Sequence, residues 1–66
     1  MRTLEQALDT LPQGGQWYLH KTTNKEDEKR FRCSWEETYS GRKTQLDGYG
    51  QTPLAAVEAV LKELGR

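Results

Sequence analysis

Gly48-Tyr49-Gly50-Gln51-Thr52-Pro53-Leu54-Ala55-Ala56-Val57-Glu58-Ala59-Val60-Leu61-Lys62-Glu63-Leu64-Gly65-Arg66 decides the fold, because a strand's end, a helix cap and one amphipathic helix follow one another in it. Thr52 suits an N-cap and Pro53 the first helical position, where its missing N–H costs nothing. Leu54, Val57, Leu61 and Leu64 recur at helical spacing with Val60 beside them, and Gly65 ends the run. A helix over about 53–64 follows, and everything upstream has to cover its apolar stripe.

Working back toward the N-terminus, Arg30 to Tyr39 alternates, with Phe31, Cys33 and Trp35 on one face and Arg32, Ser34 and Glu36 on the other. Ser40-Gly41 is a two-residue hairpin turn, with glycine supplying positive φ at its second position. The turn dictates a register: Tyr39 faces Arg42, Glu37 faces Thr44, Trp35 faces Leu46, Cys33 faces Gly48 and Arg32 faces Tyr49. That register sets Leu46 opposite Trp35, where a one-residue slip would turn it outward. Turn chemistry and alternation thus agree on strands over about 30–39 and 42–48.

Gln16 to Thr23 alternates as well, with Trp17 and Leu19 on one face and Tyr18, His20 and Thr22 on the other, so a first strand runs over about 16–23. Asn24 to Lys29 is charged or amide throughout and reads as a flexible loop. Thr3 and Gln6 form a capping box, and Leu4, Ala7, Leu8 and Leu11 share one face before Pro12, Gly14 and Gly15 break the run. This places a short helix over about 4–11.

The fold class is therefore α+β, a three-stranded antiparallel sheet with two helices packed on one face in the order α-β-β-β-α. The expected core is Leu4, Leu8, Leu11, Trp17, Leu19, Phe31, Cys33, Trp35, Leu46, Leu54, Val57, Val60, Leu61 and Leu64. Sixty-six residues make one domain, 1–66, with no repeat or linker. A chain this short buries only about 60% of its unfolded surface, which leaves little room for a pocket.

The ten Lys plus Arg balance ten Asp plus Glu, so no general attraction draws the chain to nucleic acid or an anionic membrane, although local patches remain open to it. One cysteine excludes an internal disulfide framework and a clustered-thiolate zinc site, and a free thiol fits a reducing compartment. The start, Met1-Arg2-Thr3-Leu4-Glu5-Gln6, has no apolar signal segment, and no window approaches about 18 apolar residues. The expectation is a cytoplasmic protein without a membrane.

Two resemblances attach to the junction Gly48 to Val57. The element order is similar to that of double-stranded-RNA-binding domains, whose third strand also ends in a glycine, an aromatic or acidic residue and a glycine before an alanine-rich helix. That resemblance implies the α-β-β-β-α fold. It also implies a lysine cluster at the last helix start and a histidine in the first hairpin loop, and the chain departs from both, with Gln51, Thr52, Pro53, Leu54 and Ala55 at the helix start and no histidine among residues 24–29. The Gly50-Gln51-Thr52-Pro53-Leu54-Ala55-Ala56 step also resembles the Gly-x-Thr-Pro-x-x-Ala helix starts of small phage- and prophage-encoded accessory proteins, over about the last third of the chain.

The outward sheet face carries Tyr18, His20, Arg30, Arg32, Ser34, Glu36, Lys43, Gln45, Asp47 and Tyr49. Tyrosines among arginines can anchor a partner or stack on bases, and the binding set expected is Tyr18, His20, Arg30, Arg32, Lys43 and Tyr49. His20 is the only histidine and lies on the face opposite Cys33, so the two share no metal site. Between Phe31 and Trp35, Cys33 reads as an inert core thiol rather than a nucleophile. Glu36 and Glu37 point to opposite faces and make no acid/base pair. Gly48 and Gly50 read as room for a tight turn, not as a phosphate loop. No catalytic set, metal site or cofactor is expected.

The resulting expectation is a small non-enzymatic binding protein, a phage or mobile-element accessory protein or inhibitor, that occupies a protein partner's surface. The alternative is a nucleic-acid-binding module using the basic sheet face and first hairpin loop. Self-association into a homodimer through an edge strand is a third reading.

Overall fold

The structure is a computed structural model that describes residues 2–23 and 29–65. Five elements follow in chain order: α1 (Leu4–Thr10), β1 (Gln16–Lys21), β2 (Phe31–Tyr39), β3 (Arg42–Gly50) and α2 (Pro53–Glu63). The strands form one antiparallel sheet in the order β1-β2-β3. The α+β fold in the order α-β-β-β-α is therefore present, with elements within two residues of the expected bounds. The expected loop at 24–29 lies outside the described residues except for Lys29.

Local chemistry explains each boundary. Thr3 and Gln6 form the reciprocal box, with the Gln6 N–H donating to Thr3 Oγ1 at 3.2 Å and the Thr3 N–H donating to Gln6 Oε1 at 2.9 Å. Thr52 Oγ1 accepts from the Ala55 N–H at 3.1 Å, capping α2 ahead of Pro53. Both turn residues take positive φ, Ser40 at 52° and Gly41 at 79°, the primed hairpin form whose twist matches the strands. The β2–β3 register is the one read from the turn, from Tyr39↔Arg42 through Trp35↔Leu46 to Arg32↔Tyr49.

The core comprises Ala7, Leu11, Cys33, Trp35, Ala56, Val57, Val60 and Leu61, with Leu4, Leu8, Leu19, Phe31, Leu46, Leu54 and Leu64 packed around it. Helix α2 lies across β3 and β2, and α1 packs chiefly on α2. Two glycines let α2 approach the sheet: a Cβ on Gly48 would stand 2.5 Å from the Ala56 carbonyl oxygen, and one on Gly50 would stand 2.5 Å from the Ala55 Cβ.

One core assignment is corrected. Trp17 was expected inside but is 44% exposed. It has the inward parity, opposite the buried Trp35, yet β1 is the strand α2 touches least, so the indole is only partly covered. Ala7 and Ala56, outside the expected core, are fully buried instead.

Candidate functional site

The open face of the sheet is built from rows that the register brings into line. His20 pairs with Arg32, and Arg32 with Tyr49; in the next row Tyr18 pairs with Ser34, and Ser34 with Asp47. Side chains of one row stand about 5 Å from their neighbours, so these six residues form one patch.

Arg32 is the centre of that patch. Its Nη2 lies 3.1 Å from Asp47 Oδ1, and its guanidinium carbon lies 6.0 Å from the centre of the Tyr49 ring. Lys29 Nζ is a second cation near that ring, at 5.9 Å. Ser34 donates its hydroxyl proton to Asp47 Oδ1 at 2.7 Å. The Ser34 hydrogen bond foremost, then the Arg32 hydrogen bond and charge and the Gln45 hydrogen bond, hold the Asp47 carboxyl below its ordinary value despite partial desolvation. Arg32 Nε is buried without a hydrogen-bond partner. The aromatics on this face stay accessible, Tyr18 at 54% and Tyr49 at 41%.

Beside this patch a shallow polar cleft of about 390 Å³ is lined by His20, Lys21, Thr22, Thr23, Arg32 and Tyr49. Its rim closes where the Thr22 N–H donates to the Arg30 carbonyl at 2.7 Å and Thr22 Oγ1 donates to the Lys29 carbonyl. Arg30 itself is exposed, just ahead of β2.

Of the expected binding set, Tyr18, His20, Arg32 and Tyr49 come together and Arg30 borders them. Lys43 does not join. It stands opposite Thr38 near the hairpin turn, six residues along β3 from Tyr49, or about 20 Å at strand rise, and pairs with Glu36 Oε2 at 3.3 Å. Asp47 and Ser34, outward residues outside the expected set, join the patch; their signal is the register, which aligns Ser34 with Asp47 one row from Arg32.

Cys33 lies on the opposite face, fully buried, and desolvation, with the Asp47 charge as a smaller contribution, pushes its thiol above the ordinary value. His20 and Cys33 thus face away from each other, as alternation requires. No helix among the described residues is long and apolar enough to cross a membrane. Comparison with protein-family models, with curated proteins and with solved structures finds no match for the chain.

Proposed function

We propose that the chain is a small non-enzymatic binding protein that docks a protein partner on the open face of its sheet around Tyr49, Tyr18 and Arg32. The observation that carries this reading is the pinning of Arg32 by Asp47 beside two accessible tyrosines. Tyr and Arg are the residue types enriched at interface anchors. A guanidinium already held in place loses little side-chain freedom on docking, which lowers the cost of association.

The chemistry of the face supports binding over catalysis. Its carboxylate Asp47 is shifted downward by hydrogen bonds and an ion pair, which suits a fixed anion; a general acid or base at neutral pH needs the opposite shift. An accessory role in a phage or mobile element is the setting that the Gly50 to Ala56 helix start suggests.

The second reading is nucleic-acid binding, favoured by the two cations near the Tyr49 ring, an arrangement on which a base can stack. Salt separates the two. Affinity capture from host lysate with the tagged chain, with and without nuclease, is expected to retain a protein partner through nuclease treatment and through a rise to physiological salt. A complex that nuclease removes, or that weakens steeply with salt, would assign the face to nucleic acid instead. Arg32→Glu and Tyr49→Ser, each checked for native circular dichroism, are expected to abolish capture; unchanged capture by both would overturn the face assignment.

A further inference from the structure

Strand β3 is nine residues long and forms one edge of the sheet, and among the described residues nothing pairs with its outer side. Tyr39 and Arg42 flank a two-residue turn and so exchange hydrogen bonds with each other. Counting from that pair, Arg42, Thr44, Leu46, Gly48 and Gly50 bond inward to β2. Lys43, Gln45, Asp47 and Tyr49 turn their N–H and C=O groups to the free edge, and all four are exposed. Lys43 and Asp47 are the charged side chains of this edge, and because they are of opposite sign they oppose pairing in some registers and favour it in another. The edge holds no proline, and its register with β2 runs unbroken from Arg42 to Gly50, without a bulge.

We infer that this edge pairs with the β3 edge of a second copy of the chain, antiparallel about a two-fold axis at Gln45. Charge selects that register. Centred on Gln45, Lys43 stands opposite Asp47 of the second copy, twice by symmetry. Centred on Asp47 or on Lys43, like charges would face each other directly, Asp47 against Asp47 or Lys43 against Lys43. Centred on Leu46, Lys43 would meet Tyr49 and Asp47 would meet Gln45, with no charge paired.

The internal ion pairs extend the match. Lys43 already holds Glu36, and Asp47 already holds Arg32. Pairing at Gln45 therefore produces an alternating row: Arg32, Asp47, Lys43 of the second copy, Glu36 of the second copy. Each charge in that row has opposite charges as neighbours. About six backbone hydrogen bonds close the seam, two for each of the three pairs around Gln45. The axis stands perpendicular to the sheet, so both α2 helices share one side of a six-stranded sheet and both Tyr49 patches share the other. Asp47 belongs both to the seam and to the open-face patch, so Gln45→Pro, which leaves Arg32 and Asp47 in place, is the variant that separates this dimer from the docking proposed there. A strand edge buries less than the ~1,600 Å² of a standard interface, so the dimer is concentration-dependent.

Sedimentation equilibrium over a wide concentration range tests it. The wild-type chain is expected to shift from monomer to dimer as concentration rises. Gln45→Pro is expected to keep native circular dichroism, because the Gln45 N–H makes no bond to β2, and to remain monomeric at every concentration. Lys43→Glu and Asp47→Lys are each expected to be monomeric alone and to form a mixed dimer when combined, since the two variants restore opposite charge at both contacts. A wild-type chain that stays monomeric, a dimer that survives Gln45→Pro, or folded charge variants that fail to pair on mixing would each overturn the inference.

Discussion

Gly48 lies directly beneath Ala56, so close that a Cβ on Gly48 would come within 2.5 Å of the Ala56 carbonyl oxygen and 2.8 Å of the Val60 Cγ2 and N atoms. The seat of α2 on β3 depends on that missing side chain. Two of the three atoms met are backbone, so they cannot swing away, and a methyl group there must lift the helix.

Gly48→Ala is therefore expected to destabilise the protein by about 3 kcal/mol. For a chain of this size that lowers Tm by about 15 °C. Thermal melts followed by circular dichroism measure it, and a Tm within a few degrees of wild type would mean that α2 sits farther from β3 than described.

Ser40 holds φ at 52°, a conformation that serine adopts reluctantly and asparagine tolerates. Ser40→Asn is expected to stabilise the hairpin by about 0.5 kcal/mol, raising Tm by about 3 °C. The same melt decides it. No gain, or a loss, would argue that the turn is not of the primed type.

The two tryptophans face inward by parity yet differ in exposure, Trp35 at 2% and Trp17 at 44%. Trp35→Ala is expected to cost about 4 kcal/mol, enough to threaten the fold, and Trp17→Ala about 1 kcal/mol. Fluorescence offers a gentler check: in Trp17→Phe the remaining emission should be blue-shifted and resist acrylamide. Emission from Trp35 that quenches as readily as a free indole would contradict its burial.

Asp47 links the patch to pH. Its folded carboxyl titrates below the ordinary value of 3.8, so its stabilisation is complete above that value. It is lost as pH falls through the lower folded value, because the unfolded chain takes up the proton first. With the Asp47 side chain 33% exposed and solvent-screened, the amount is below about 1 kcal/mol. Urea melts at neutral pH and near pH 3 are expected to show a smaller drop in stability for Asp47→Asn than for wild type. An equal drop would remove Asp47 from the account of acid sensitivity.

Much of this architecture was readable because it rests on short-range geometry. Thr3 and Thr52 cap helices through hydrogen bonds within three residues, and Ser40-Gly41 sets a register that alternation then carries to Tyr49. The same register made the open face readable, and with it the row of His20, Arg32 and Tyr49. Parity and residue type both group Lys43 with that row, whereas its distance along β3 sets it with Glu36.

Caps, turns and alternation act between near neighbours, and they are enough to place the elements, their order and the pairing of β2 with β3. Which inward residues are covered, and how Arg32 is held, depends instead on packing between distant parts of the chain. Trp17 and Trp35 have the same parity and differ only in what lies above them. That depends on where α2 crosses the sheet, which is set by the room that Gly48 and Gly50 leave over β3. Arg32 is held because side-chain reach brings Asp47 to it across the strands, with Ser34 bonded to the same carboxylate oxygen. Periodicity assigns a residue to a face; packing decides whether that face is filled.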